Sequence, residues 1–252
     1  MKIQIYHDHF ENAKVYQLPK AQLIIADIPY NIGKNAYASR KEWYKDGALG
    51  NGKSALAGKS FFDTDENFNI KNFFDFCSRY LKPEPKELNK APAMIIFCAI
   101  EQVNEVIENG LIHGFRHHYV LHFIKSNSSQ VLKANIKIVN AVEVAVVLYR
   151  DKLPKFNNID ENGKKHMIKN WFNFTRDKKD IPKIHPTQKP VTLLKELIKI
   201  FTDEGDVVLD PCCGSGSTLR ACAELNRTCY GFEIKRDFVK RAKEEMLKDY
   251  IK

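Results

Sequence analysis

Short apolar runs alternate along the chain with segments whose apolar residues recur at helical spacing. The apolar runs predict buried strands at residues 3–6, 22–26, 93–100, 115–124, 142–149, 207–209 and 228–232. Helices are predicted at residues 65–81, 101–109, 190–204 and 218–226, with Gly110 and Gly205 directly after the second and third. Strands that alternate with helices predict an α/β fold, in which a mostly parallel sheet is covered on both faces.

The chain of 252 residues is long enough for one large α/β domain, and its 44% of hydrophobic residues suffice for a full core. Two stretches depart from the strand and helix pattern. Residues 31–62 are rich in glycine, lysine and serine, which predicts a mobile basic loop or plain disorder. Residues 127–183 are largely polar and predict an insertion, in which Trp171 and Phe174 are expected to fill a small satellite core.

The charge balance favours a polyanionic partner without proving one. Lys and Arg number 40 against 31 Asp and Glu, which gives a formal net charge of +9. Solvated lysines in the protein of an AT-rich genome would give the same balance. The six cysteines have no metal-ligand spacing, so buried thiols in a reducing cytosol are expected. No stretch approaches the ~20 apolar residues of a membrane span, which predicts a soluble, cytoplasmic protein.

The strand at residues 22–26 is followed by Asp27, Ile28, Pro29 and Tyr30. A carboxylate can accept an amino N–H, and the carbonyl beside it can accept a second because Pro29 fixes the backbone. The aromatic ring can stack on a planar base. This set suits an exocyclic amino group on a heterocycle, although the same four residues also form an ordinary exit from a strand.

A glycine-rich turn follows the strand at residues 207–209. It begins at Asp210 and contains Gly214 and Gly216, and Glu233 ends the next strand, close to the ~20-residue offset at which an acid meets ribose hydroxyls. The turn lacks the third glycine of a dinucleotide fingerprint and the Gly-Lys-Ser/Thr of a phosphate-binding loop. An acid at this turn disfavours pyrophosphate and favours a cationic nucleoside such as S-adenosylmethionine.

Three motifs in this order resemble the beta group of the exocyclic-amino DNA methyltransferases. They are Asp27-Ile-Pro-Tyr, His185-Pro-Thr-Gln-Lys-Pro and Asp210-Pro-Cys-Cys-Gly-Ser-Gly. The resemblance spans residues 1–245 and implies a single methyltransferase domain with a Rossmann-like sheet. That domain is expected to be circularly permuted, with the catalytic motif N-terminal and the cofactor motif C-terminal. The insertion at residues 127–183 would then carry target recognition.

The resemblance implies the catalytic roles. Asp27 and the carbonyl of Ile28 accept hydrogen bonds from the target amino group, and Tyr30 stacks on a base flipped out of double-stranded DNA. The motif usually reads Asp-Pro-Pro-Tyr, so Ile28 is a departure that leaves less fixed backbone before Pro29 and an additional N–H to satisfy. S-adenosylmethionine supplies the electrophile as a sulfonium, and no metal is required.

The resemblance also implies the residues that hold the two ends of the cofactor. Thr187 and Lys189 match positions at its amino-acid end, with Lys189 at the carboxylate. Asp8, after the first strand, matches an acid that contacts the adenine amino group.

The middle of the cofactor is expected to lie against the glycine-rich turn. Asp210, Gly214 and Gly216 line the methionine and ribose region, and Glu233 meets the ribose hydroxyls. Cys212 stands where the family usually has a phenylalanine, which removes an aromatic wall beside the methionine chain.

The leading hypothesis is an enzyme that methylates the N6 amino group of adenine within a short DNA sequence. An aspartate at position 27 goes mostly with adenine in this family, but the correlation is imperfect, so cytosine N4 stays open. An RNA or guanine amino group and a non-catalytic binding protein are further alternatives. The resemblance also suggests a homodimer, and the presence of a restriction partner stays open.

Overall fold

The computed structural model describes most of the chain. The described residues are 1–31, 67–126, 131–133, 138–160, 162–185 and 187–251. The predicted basic loop at residues 31–62 lies outside them, apart from Asn31.

Eight strands form the main sheet and two form a hairpin. In chain order the strands are β1 (Ile3–His7), β2 (Leu23–Asp27), β3 (Ala93–Cys98), β4 (His117–Lys125), β5 (Val131–Lys133), β6 (Ile138–Val139), β7 (Val142–Tyr149), β8 (Trp171–Phe174), β9 (Val207–Asp210) and β10 (Thr228–Glu233). The main sheet has the order β1-β10-β9-β2-β3-β7-β4-β8, and β5 pairs with β6. Only β7 runs against its neighbours among the described strands of the main sheet. The predicted mostly parallel sheet is therefore confirmed.

Helices cover both faces of this sheet. They are α1 (Ile70–Tyr80), α2 (Val103–Ile112), α3 (Val191–Phe201), α4 (Ser217–Glu224) and α5 (Arg236–Arg241). Buried residues of α3, α4 and α5 share one hydrophobic cluster with the sheet. Those of α1 and α2 share a second cluster with the opposite face. Burial on both faces explains why the strands of the sheet centre read as continuous apolar runs.

Three of the predicted helix boundaries differ most from the structure. The first helix begins at Ile70 because the Asn69 side chain accepts a hydrogen bond from the backbone of Asn72 and caps it. Gly110 does not end α2 but lies buried inside it, where an added Cβ would approach Leu148 to 2.7 Å. The third helix ends at Phe201, before Gly205. Close packing, rather than helix termination, accounts for the glycine in α2.

Strands β7 and β8 lie within residues 127–183, and both belong to the main sheet. Phe174 packs against the main hydrophobic core and not against the small satellite core that was expected. The prediction is wrong for Trp171, which is 40% exposed and lies under the ammonium of Lys169, 4.8 Å from the ring centroid. β8 is an edge strand with a neighbouring strand on one side, which leaves the Trp171 side chain partly exposed.

The carboxyl ends of β2 and β9 lie side by side along one edge of the sheet, and they position the candidate site. Leu23 and Ile24 of β2 pair in parallel with Val208 and Leu209 of β9, so the residues after both strands emerge side by side. In open α/β sheets, ligands bind outside the carboxyl ends of the strands. The catalytic motif thus precedes the glycine-rich turn along the chain and adjoins it in space, while the circular permutation stays a prediction.

Candidate active site

Asp27 ends β2, and the backbone after it remains tied to β3. The N–H of Ile28 donates to the carbonyl of Phe97 at 3.1 Å, and the Ile28 side chain is buried. The additional N–H that the sequence left to be satisfied therefore has a partner. Ile28 extends the pairing between the strands by one hydrogen bond and anchors the motif in the core.

The carbonyl of Pro29 is held by a residue that the sequence did not single out. The side-chain amide of Gln102 donates to this carbonyl at 3.0 Å and accepts from the backbone N–H of Ala99 at 3.0 Å. Gln102 is buried. Its position shortly after a buried strand was the available signal, since this strand ends at the same edge of the sheet as β2.

Lys189 brings two carboxylates together. Its Nζ lies 2.6 Å from Asp27 Oδ2 and 3.2 Å from Glu143 Oε2. The ammonium also lies 5.8 Å from the centroid of the Tyr30 ring and 5.2 Å from that of Phe97. The structure thus brings Lys189, which was predicted for the cofactor, together with Asp27 and Tyr30 of the catalytic motif, and it adds Glu143. The predicted contact of Lys189 with the cofactor carboxylate stays a prediction.

Burial and charge act in opposite directions on these groups. Burial raises the pKa of Asp27, the Lys189 ammonium opposes this rise, and the Glu143 carboxylate adds to it. Although burial disfavours its charge, the neighbouring carboxylates hold the pKa of Lys189 well above its usual range. Oδ1 of Asp27 is buried and has no hydrogen-bond partner among the described residues. An acceptor left in this state favours an incoming donor.

We expect the substitution Ile28→Pro to destabilise the protein, although proline is usual at this position in the family. It removes the N–H that donates to Phe97 and part of a buried side chain, so the free energy of unfolding should fall by about 2–4 kcal/mol. Urea denaturation measures this change. Ile28→Val is the matched control, because it keeps the N–H and should cost about 1 kcal/mol. Equal stability of the two variants would contradict the role given to the hydrogen bond.

The loop before α3 is folded on itself. The backbone N–H and the hydroxyl of Thr187 lie 3.2 and 3.0 Å from Nδ1 of His185. The side-chain oxygen of Gln188 accepts from the backbone N–H of Ile184 at 3.1 Å. Burial, together with nearby lysines, lowers the pKa of His185 to about 4, so its ring is neutral near pH 7. In this loop conformation Thr187 is exposed, whereas Lys189 is buried and lies against Asp27.

Two acids hold the glycine-rich turn in place, Asp210 at its start and Glu233 at the end of the following strand. The backbone N–H of Cys212 donates to Asp210 Oδ1 at 3.1 Å, and that of Gly214 donates to Glu233 Oε2 at 3.0 Å. Gly214 and Gly216 have φ values of 46° and 78°, which other residues rarely adopt. The two predicted glycines are therefore required by the backbone of the turn. Cys212, the predicted departure, is half-buried within it.

Burial disfavours the negative charge of the two acids that hold the turn, Asp210 and Glu233. Burial raises the pKa of Asp210 to about 7, and the charges of Asp27 and Glu233 add to this rise. Burial also raises the pKa of Glu233. Among the residues that the structure describes, a Cβ added to Gly214 would meet only a ring carbon of His185, at 4.0 Å, so the turn can be approached closely. The two carboxylates, which are hydrogen-bond acceptors, and the open approach fit a cationic nucleoside.

Asp8 lies in the turn after β1 and is tied to the same edge. Its backbone N–H donates to the carbonyl of Glu233 at 3.1 Å. Its carboxylate accepts from the Tyr16 hydroxyl at 2.6 Å and from the Asn12 amide at 2.7 Å. These hydrogen bonds, that of Tyr16 first, lower the pKa of Asp8. Asp8 is therefore a fixed anion near Glu233, and its contact with an adenine ring stays a prediction.

Metal-binding clusters and membrane-spanning helices are both absent from the described part of the chain. No group of three or more His, Cys, Asp or Glu residues there could hold a metal ion. None of the helices described has the length and apolar character needed to cross a membrane.

These features together define the class of protein. A strand, a glycine-rich turn, a helix and an acid-ended strand form a unit that fits a nucleoside, and a half-buried acid with an aromatic ring lies at the next strand end. This is the arrangement of a transferase that brings a nucleoside cofactor to an amino group.

The chain belongs to the DNA methylase family of N6 and N4 methyltransferases, whose profile matches residues 21–244. It is 25% identical over 248 residues to the type II methyltransferase M.HpaI of Haemophilus parainfluenzae, covering 89% of this chain and 67% of the relative. It is 24% identical over 267 residues to the DNA adenine methyltransferase YhdJ of Escherichia coli (strain K12), covering 95% and 80%. The resemblance inferred from the three motifs is confirmed.

Solved structures share the fold. The M1.HpyAVI–SAM complex matches with a TM-score of 0.66 and 24% identity, over 96% of this chain and 98% of the other. The cytosine-N4-specific PvuII DNA methyltransferase matches with a TM-score of 0.60 and 13% identity, over 98% and 87%. At these identities the likeness establishes the architecture of the sheet and its helices.

Proposed function

We propose that this protein transfers the methyl group of S-adenosylmethionine to the N6 amino group of adenine in double-stranded DNA. The observation that carries the proposal is Oδ1 of Asp27, a buried acceptor without a hydrogen-bond partner among the described residues, at the strand end beside the glycine-rich turn. Membership of the DNA methylase family supplies the reaction class.

The residues of the turn fit the cofactor. S-adenosylmethionine, when bound, supplies a methyl group on a positively charged sulfur. Glu233 lies where it can accept hydrogen bonds from ribose hydroxyls, and Asp210 contributes negative charge near the sulfonium. Gly214 leaves room for close approach of the backbone. Asp8 is fixed on the adjacent strand end, where the cofactor's adenine is proposed to lie.

Asp27 and the Ile28 carbonyl activate the target. An exocyclic amine is a poor nucleophile because its lone pair is delocalised into the ring. Two acceptors in line with its N–H bonds favour a pyramidal nitrogen and direct the lone pair towards the methyl group. Asp27 also stabilises the positive charge that develops on the nitrogen. The buried Ile28 side chain and the Gln102–Pro29 hydrogen bond hold this backbone in place.

Tyr30 is proposed to stack on the target base after it leaves the duplex. Base flipping is needed because the amino group cannot reach a buried methyl donor from inside the stack. Residues 127–183 remain our proposed target-recognition segment, and the exposed Trp171 with Lys169 offers one aromatic and basic surface there. The predicted homodimer and cytoplasmic location belong to this proposal as well.

Adenine is favoured over cytosine by two observations. Position 27 is an aspartate, and YhdJ, which matches over 95% of this chain, is a DNA adenine methyltransferase. The cytosine-N4-specific PvuII enzyme shares the fold, so cytosine N4 is the second candidate.

Transfer of a radiolabelled methyl group to genomic DNA that lacks adenine methylation tests the proposal. We expect label in DNA and its recovery as N6-methyladenine after digestion. Label in RNA alone, or recovery as N4-methylcytosine, would reassign the substrate. Cofactor binding without transfer to either nucleic acid would support a non-catalytic protein instead.

Cofactor affinity should depend on pH through Asp210. Its pKa of about 7 means that the carboxylate, which favours a cationic ligand, forms as the pH rises through that value. We expect affinity to increase by up to ~10-fold per pH unit below the pKa and to level off above it. Isothermal titration calorimetry measures this. Asp210→Asn should bind weakly with much less pH dependence, and a flat wild-type profile would contradict the role of Asp210.

A further inference from the structure

Glu143 reaches the active site because β7 runs against its neighbours. Its neighbour Val144 pairs with Cys98 near the end of β3, and Glu143 itself pairs with Phe123 near the end of β4. The first residues of β7 therefore lie at the edge where β2 ends in Asp27. Antiparallel pairing thus places a carboxylate at the reactive edge.

Four charged side chains alternate in sign along this edge. Lys125 pairs with Oε1 of Glu143, Oε2 of Glu143 lies 3.2 Å from Lys189, and Lys189 pairs with Oδ2 of Asp27 at 2.6 Å. The exposed fractions of the Lys189 and Glu143 side chains are 7% and 15%. Oε2 of Glu143 has no partner among the described residues other than this ammonium. Its contact with Lys189 is an ion pair with acceptor capacity to spare.

The ability of Glu143 Oε2 to accept further hydrogen bonds matters when Asp27 accepts one from the target amino group. Oδ2 of Asp27 is capped by the Lys189 ammonium, so full use of the carboxylate requires the ammonium to loosen its hold. A buried cation left without a carboxylate is strongly disfavoured. Oε2 of Glu143 already lies within ion-pair distance and can take the ammonium over without a change of strand or loop.

We propose that Glu143 is a positioning residue for methyl transfer, which retains the Lys189 ammonium while Asp27 accepts the target amino group. The inference rests on the proposed function. With Lys125 the row of four charges is neutral, so a Lys189 ammonium held by Glu143 leaves the Asp27 carboxylate to favour the amine as it becomes positive. Without the Glu143 charge, the ammonium stays on Asp27 and neutralises it.

The charges around Asp27 set the sign of a direct test. Burial is the largest influence that raises its pKa; Glu143 adds to it and Lys189 opposes it. Among the described residues, the titratable groups that interact electrostatically with Asp27 are Lys189, Glu143, Tyr30, Cys98, Asp210 and Cys212. Removing the Glu143 charge should shift the titration of Asp27 to lower pH. Removing Lys125, which neutralises Glu143, should shift it to higher pH.

The experiment compares Glu143→Gln and Lys125→Met with the full-length wild-type protein. It measures single-turnover methyl transfer to unmethylated genomic DNA, cofactor affinity, and the Asp27 titration midpoint by carbon-13 NMR of labelled aspartate. For Glu143→Gln we expect transfer to slow by ~10–100-fold, with cofactor affinity nearly unchanged and a midpoint at lower pH. Glu105→Gln, an exposed change on α2, is the matched control for loss of one negative charge.

Opposite shifts of the Asp27 midpoint in the two variants distinguish a positioning role of Glu143 from structural support. A general loss of packing would move the midpoint in the same direction in both variants. Midpoints that move together, or unchanged transfer in Glu143→Gln, would overturn the inference. If Glu143→Gln does not fold, the Lys125→Met midpoint decides. A wild-type protein that methylates no nucleic acid would instead overturn the proposed function, and this inference with it.

Discussion

Replacement of Asp27 by alanine is expected to reduce methyl transfer by at least ~10³-fold. The substitution removes the acceptor of the target amino group and the negative charge opposite the developing ammonium. Cofactor affinity should remain nearly intact, because the Lys189 ammonium keeps Glu143 as a partner and the glycine-rich turn is braced by Glu233. Single-turnover transfer and calorimetric cofactor titration measure the two effects separately.

Asp27→Asn refines this experiment, because it preserves size and one acceptor oxygen while removing the charge. It should retain a small part of the activity, and Asp180→Ala, a change at an exposed acid, should retain all of it. Parallel loss of transfer and cofactor affinity in Asp27→Ala would contradict the assignment of Asp27 to the target amine.

The second large effect is expected from Glu233. Glu233→Ala should weaken cofactor binding by ~10–100-fold, since it removes charge-assisted hydrogen bonds to ribose hydroxyls and the support of the Gly214 N–H. Saturating cofactor should recover most of the single-turnover rate, because Glu233 does not touch the target base in this account.

Glu233→Gln separates the two contributions of this side chain. Its amide oxygen can still accept from Gly214, so a loss of affinity in this variant reports mainly on the carboxylate charge. Glu224→Gln, on α4, removes an equal charge that pairs with Lys195 and Arg220 instead. Unchanged affinity in Glu233→Ala would refute the proposed ribose contact.

The parts of the fold that depend on local pattern could be predicted from the sequence. The strand that ends in Asp27 and the strand that ends in Asp210, before the glycine-rich turn, could be predicted. Both are continuous apolar runs, because the sheet is buried on both faces. Gly214 and Gly216 were predicted because they allow a ligand to approach the backbone closely, and the structure adds that both have positive φ. The fold class followed from these elements and the order of the motifs.

The remaining parts depend on contacts between distant residues. Gln102 holds the Pro29 carbonyl only because α2 begins where β3 ends, and Glu143 meets Lys189 only because β7 is antiparallel. Trp171 was expected to be buried, but β8 lies at the sheet edge. Register and edge position are properties of the assembled sheet that a strand's own sequence does not contain.

The most direct test of the central claim is sequencing of modified bases in DNA from cells that express the wild-type protein, beside cells that express Asp27→Ala. We expect N6-methyladenine at a short recurring sequence in the first DNA and none above background in the second. Methylation confined to cytosine N4, or N6-methyladenine that persists with Asp27→Ala, would contradict it.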